Sequence, residues 1–229
     1  MGISIASRYR SPNGVKIILL LNSVDTHMIS KKYFAEGIGT FALSFIVLSA
    51  VSYTSTLPLV IPVIAGLTLG LFVYSIGAIS GCHINPAVTL GLLSIKKITS
   101  KDAAFYIIAQ FLGAMSAVVL AGVFMMTHAA PSSGTPFELS VFLAEMLGTA
   151  FFTFGIASVV YGNVKDEASG LVIGGSLLFG ILLASLAGAS GILNPAVALA
   201  LNSLSLTYIL APIAGSIFGF QAYKFVAGK

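Results

Sequence analysis

Residues 80–89 read Ser80-Gly81-Cys82-His83-Ile84-Asn85-Pro86-Ala87-Val88-Thr89, and a second stretch ends Leu193-Asn194-Pro195-Ala196-Val197. Asn-Pro-Ala-Val is therefore written twice, 194 − 85 = 109 positions apart. A second landmark keeps the same spacing. Ala35-Glu36 and Gly39-Thr40 recur as Ala144-Glu145 and Gly148-Thr149, and 145 − 36 is again 109. Two distant landmarks with one offset identify an internal duplication rather than chance tetrapeptides. Asn is a favoured N-cap, and Pro suits the first helical position, where its missing N–H costs nothing. The apolar runs that follow, Ala87–Ile95 and Ala196–Leu204, are short. Each triplet thus predicts the start of a half-length helix, too short to cross a bilayer.

Composition sets the surroundings of these two segments. Of 229 residues, 57% are hydrophobic and only 8% charged, with a mean hydropathy of +1.03. Soluble domains carry about 25% charged residues, so a soluble enzyme, a disordered chain and a nucleic-acid partner are excluded. The single cysteine, Cys82, excludes a disulfide framework and a Cys-rich metal site. Cys82 with His83 offers too few ligands for a metal, and no Ser/His/Asp cluster or phosphate loop points to an enzyme. Six apolar stretches are long enough to span: Tyr33–Tyr53, Leu57–Ile76, Asp102–Met126, Phe137–Tyr161, Ser169–Leu186 and Thr207–Val226. They are rich in Gly, Ala and Ser and lack the alternation of a membrane barrel, so they predict closely packed helices.

All 11 Lys and Arg residues fall in four segments: before the first span, before the third, between the fourth and fifth, and in the tail. With six spans these segments share one side, and the positive-inside rule makes both termini cytoplasmic. Val15–Leu21 is too short to span and lacks a cleavage pattern. Residues 1–30 are accordingly expected to be an amino-terminal cytoplasmic tail, with Met28 as a second possible start. Residues 31–229 form the membrane domain, with repeats over about 31–126 and 137–227. His27 and His128 are expected in solvated connections.

Three spans per repeat force the copies into opposite membrane orientations, which places a transport pathway at their interface near the midplane. The first Asn-Pro-Ala segment lies on a cytoplasmic connection and the second on an outer one. Their half-helices then enter from opposite faces and meet N-terminus to N-terminus. Two positive dipole ends and two Asn amides converge there. An uncharged oxygen-bearing solute can accept those hydrogen bonds, whereas a cation or proton meets a positive potential.

With its paired Asn-Pro-Ala triplets, Glu36 and Glu145, six spans and inverted halves, the chain resembles the aquaporin family (major intrinsic proteins) over about residues 32–227. The resemblance implies an all-α membrane fold: a right-handed bundle of six transmembrane helices plus two re-entrant half-helices. It also implies passive flow without a cofactor, a homotetramer with one pore per subunit, and Asn85, Pro86, Ala87, Asn194, Pro195 and Ala196 as the pore motifs. Family members usually place Arg after the second triplet; here Val197 stands there. Alignment to the family puts Ala65, Ile181 (or Leu182 after a one-residue shift), Gly191 and Val197 at the selectivity filter. That set has no charge and no ring, and it points to solutes wider than water: glycerol, urea, ammonia or metalloid hydroxides such as arsenite. Chain length, in contrast, resembles the water-type members.

Several residues admit two readings. Asn85 and Asn194 either cap buried helices or face a pore, and the duplicated context favours the pore. Glu36 and Glu145 either relay protons, as in a carrier, or accept N–H bonds from the irregular loop of their own half; the anchoring role is adopted. His83 is expected to hydrogen-bond within its loop rather than act as a pH gate, and Cys82 to face the pore. A channel in a lipid bilayer, conducting small neutral solutes, is the principal functional expectation. A proton-coupled secondary carrier and a weakly conducting structural membrane protein are the alternatives. The short tails point to a prokaryotic inner membrane.

Overall fold

A computed structural model describes residues 26–53, 59–125 and 137–228. Within them the chain forms α1 (Thr26–Tyr53), α2 (Val60–Ser80), α3 (Pro86–Ser94), α4 (Ser100–Met125), α5 (Leu139–Val160), α6 (Ser169–Leu186), α7 (Pro195–Ala200) and α8 (Leu206–Val226). A 3-10 turn, Asp166–Ala168, precedes α6. Six of these helices are long and apolar enough to cross a membrane. Their outer faces expose side chains such as Leu67, Val119 and Leu171, each more than two-thirds accessible, as a surface facing hydrocarbon requires. The chain is an integral, multi-pass membrane protein.

The helix ends differ from the sequence expectation for local reasons. α1 starts at Thr26, so it includes His27, which was expected in a connection, and crosses the boundary placed between residues 30 and 31. α2 runs past Ile76 to Ser80, where Gly81 takes a left-handed φ of 88° and donates its N–H to Gly77 O. α7 ends at Ala200 instead of Leu204 because Asn202 turns left-handed (φ 53°) and Ser203 N–H closes back onto Ala198 O at 2.9 Å. α3 ends in the same way, with Lys96 at φ 61° and Lys97 N–H on Leu92 O. Both are the 6→1 closure that terminates helices. The tail over residues 1–25, the connection at 54–58 and the third connection with His128 lie outside the described residues.

Packing follows the duplication. α1 packs on α4 and α2, and α5 packs correspondingly on α8 and α6, while α2 and α6 meet at the centre. Each half-helix leans on the last helix of the other repeat, α3 on α8 and α7 on α4, so neither half closes alone. The α2–α6 crossing is set by Gly66 and Gly70 facing Gly174 and Gly170. A Cβ on Gly66 would lie 2.6 Å from Gly174 O, and one on Gly70 would lie 2.7 Å from Gly170 O. Each helix therefore presents a small-xxx-small face that lets the backbones touch, the contact available in lipid where the hydrophobic drive is absent.

Candidate transport pathway

The two loops that dip between α2 and α3 and between α6 and α7 are held from behind by buried carboxylates. Glu36 Oε1 accepts from Ser80 Oγ (2.6 Å) and His83 N–H (2.9 Å), and its Oε2 accepts from Ile84 N–H (2.6 Å) and Gln110 Nε2 (2.9 Å). Glu145 Oε1 accepts from Gly191 N–H (2.7 Å) and Ile192 N–H (3.1 Å), and Oε2 from Leu193 N–H (3.0 Å). Both glutamates are fully buried. Buried backbone donors need partners, and in each loop the repeat's own glutamate supplies them. The loops are bent through left-handed residues at matching places: Cys82 (φ 52°) and Ile84 (φ 39°) against Gly191 (φ 67°) and Leu193 (φ 54°). These pairs again stand 109 apart, 191 − 82 and 193 − 84.

At the tips, Asn85 Oδ1 accepts Ala87 N–H at 2.8 Å, and Asn194 Oδ1 accepts Ala196 N–H at 3.0 Å and Val197 N–H at 3.4 Å. Each is therefore the N-cap of its half-helix. The two amide groups then cross: Asn85 Nδ2 donates to Leu193 O at 2.9 Å, and Asn194 Nδ2 donates to Ile84 O at 3.0 Å. An amide nitrogen has two hydrogens, so each Asn retains one N–H beyond this bond.

Both asparagines lie on the wall of a cavity of about 230 Å³ on the side away from the termini. Ala65, Ile181, Gly191 and Val197 are wall residues of the same cavity, and Leu182 is not. A second cavity, about 590 Å³, opens toward the termini, with Cys82, Val88 and Lys97 in its wall. Leu69, His83 and Phe152 belong to both walls, so the two cavities meet at these side chains. Pro86, Ala87, Pro195 and Ala196 are buried in helix contacts and line neither cavity. They shape the tips without facing the space.

His83 reaches beyond its loop: Nδ1 is 3.2 Å from Thr89 Oγ1 on α3, and the ring stands edge-on to Tyr106 at 5.0 Å. The Thr89 hydroxyl donates to Asn85 O and accepts from Gln110 Nε2. With that hydroxyl proton committed, Nδ1 carries the imidazole hydrogen and Nε2 is left as an acceptor. Among the described residues no group of three His, Cys, Asp or Glu side chains is placed to hold a metal.

Phe152 and Leu43 were absent from the sequence-derived set. The signal for them was present: each stands seven positions after its glutamate, 43 − 36 and 152 − 145, on one helix face with it. Leu43 lines the cavity away from the termini, and Phe152 lines both.

The sequence profile of the family described as Major intrinsic protein matches residues 23–223. The chain is 32% identical to aquaporin Z of Rhodopseudomonas palustris, over 86% of this chain and 93% of that one. It is 38% identical to glycerol uptake facilitator protein-like 6 of Lactiplantibacillus plantarum, over 82% and 94%. In fold it is similar to the aquaglyceroporin from Plasmodium falciparum, with a TM-score of 0.72 at 23% identity, covering 87% of this chain and 97% of that one. Duplicated halves, opposed half-helices and a family profile spanning nearly the whole chain lead to one assignment: the protein belongs to the major intrinsic protein family.

Proposed function

We propose that the protein is a passive channel for water and small uncharged solutes, glycerol, urea, ammonia and arsenite-like hydroxides among them, and that it excludes protons and ions. The crossed asparagine pair carries this reading. Two helix N-termini place their partial positive charge at the tips, and each Asn amide keeps one N–H for a passing oxygen. A neutral polar molecule gains a hydrogen bond there, while a cation meets a positive potential. The similarity to an aquaporin and to a glycerol facilitator supports the same solute class.

Ala65, Ile181, Gly191 and Val197 are assigned the selectivity filter. An arginine at the last position would supply a fixed charge, donors and bulk; valine supplies none of them. The filter is therefore wider and less polar than a water-selective one. Glu36 and Glu145 are assigned the anchoring of the loops, since their oxygens are taken up by loop and side-chain donors. That leaves neither of these two carboxylates free for proton coupling.

The reading extends to a homotetramer with one pore per subunit, in a prokaryotic inner membrane. Both termini are assigned to the cytoplasm. Lys31, Lys96, Lys97, Lys101, Lys165 and Lys224 all lie at the terminal side of the bundle in support of this.

Stopped-flow light scattering on proteoliposomes tests the solute range. Water efflux and glycerol or urea influx are both expected to run several-fold faster than in protein-free vesicles. Accelerated water flow with solute influx at the protein-free rate would eliminate the wide filter.

A further inference from the structure

The outer surface carries a groove remote from the central cavities. It runs between α1 and α4, encloses about 740 Å³, and has Phe34, Ile38, Phe41 and Leu112 in its walls. Its base is where the two helices touch: a Cβ on Gly113 would collide with Gly37 O. Exposed Lys31 stands at the terminal end of the groove. The next cation, Lys32, is held by Asp102 at 2.8 Å, and Tyr33 donates to the same carboxylate. Lys31 has no such ion pair among the described residues. From Lys31 to Phe41 is ten residues, about 15 Å at the rise of a helix. That is half of the roughly 30 Å hydrocarbon core, the depth from headgroups to midplane.

The duplication supplies an internal comparison. Gly37 O abuts Gly113 as Met146 O abuts Gly215, so α1 maps onto α5 at 146 − 37 = 109 and α4 onto α8 at 215 − 113 = 102. In the second repeat Met146 replaces Gly37, Phe218 replaces Ser116 (218 − 116 = 102), and Ser140 replaces Lys31 (140 − 31 = 109). The surface equivalent to the groove thus carries a thioether chain and a ring in place of small residues, and it has no cation. At these three positions the first repeat alone combines small residues in the slot with a cation at its head.

We propose that this groove binds one anionic phospholipid of the leaflet facing the termini. Its phosphate pairs with Lys31, and one acyl chain lies along Phe34, Ile38 and Phe41 against Leu112. The slot faces hydrocarbon, and the two hydroxyls in its wall are already committed, Ser116 to Leu112 O and Tyr33 to Asp102. One near-surface lysine favours an anionic headgroup about five-fold.

Native mass spectrometry of the full chain, titrated with phosphatidylglycerol or phosphatidylcholine of matched acyl chains, tests the proposal. The parent protein is expected to retain phosphatidylglycerol about five-fold better. Lys31→Ser is expected to erase that preference while phosphatidylcholine binding stays at the parent level. Gly37→Met with Ser116→Phe, which imports the second repeat's residues, is expected to remove the retained lipid of either headgroup. At Gly37 the nearest atom to a new Cβ is Ala109 O, at 3.4 Å, and Ser116 is exposed, so the pair is tolerable; Ser116→Phe alone is read if it is not. Equal retention of both lipids by the parent, or undiminished retention by the filled groove, overturns the proposal. A filled groove that changes the oligomeric state overturns it too, by assigning the surface to a second copy of the chain.

Discussion

Glu145→Ala is expected to yield little folded protein, and what is recovered is expected to melt far below the parent. The substitution orphans the N–H groups of Gly191, Ile192 and Leu193 at once, in a loop whose glutamate is wholly buried. Each unpaired buried donor costs about 1–3 kcal/mol, so three together cost roughly 3–9 kcal/mol. That is a large share of a typical stability of about 5–15 kcal/mol. Glu145→Gln should fall between the two, because its amide keeps one acceptor oxygen but turns N–H donors toward N–H donors. Size-exclusion profiles and thermal unfolding in detergent provide the readout. A Glu145→Ala protein melting within about 2 °C of the parent would mean that the loop does not depend on this anchor.

Val197→Arg is expected to cut glycerol and urea permeability about ten-fold, equivalent to about 1.4 kcal/mol of added barrier, while water permeability falls by far less. Val197 is buried at 4% accessibility in the first turn of α7, its N–H on Asn194 Oδ1, and it shares the wall of the cavity away from the termini with Ala65, Ile181 and Gly191. A guanidinium there takes up volume that only small and aliphatic groups now border. Its donors also hold water more readily than a bulky solute. The ratio of solute to water permeability decides the matter, since a folding defect lowers both alike. An unchanged ratio would mean that residue 197 is not at the constriction.

The elements carried by strong local chemistry were legible in the sequence: the six spans, the duplication and the Asn-Pro starts of α3 and α7. What escaped depends on contacts distant along the chain. The bond from Gln110 to Glu36 joins residues 74 positions apart, and no local pattern announces it. The repeat offset is also not uniform. Facing pairs Gly66–Gly174 and Gly70–Gly170 relate α2 to α6 at 170 − 66 = 104, five fewer than at the glutamates and asparagines. The difference arises because α2 ends at Ser80, close to Asn85, whereas α6 ends at Leu186, farther from Asn194. Without a motif in either helix, residue 181 could not be separated from 182 by spacing; packing puts Ile181 on the cavity wall. Phe152 lies deeper than Val197 and Gly191, at the junction of the two cavities, a place set by the meeting of both repeats rather than by a local pattern.

Opposed helix tips are what make the proposed passage hospitable to neutral molecules and hostile to cations. Glycerol influx and dissipation of an imposed pH gradient, followed in the same proteoliposomes, test this most directly. Glycerol influx is expected to rise several-fold with protein content, while the pH gradient decays at the rate of protein-free vesicles. A gradient that collapses in proportion to protein content, or glycerol influx no faster than in empty vesicles, would contradict it.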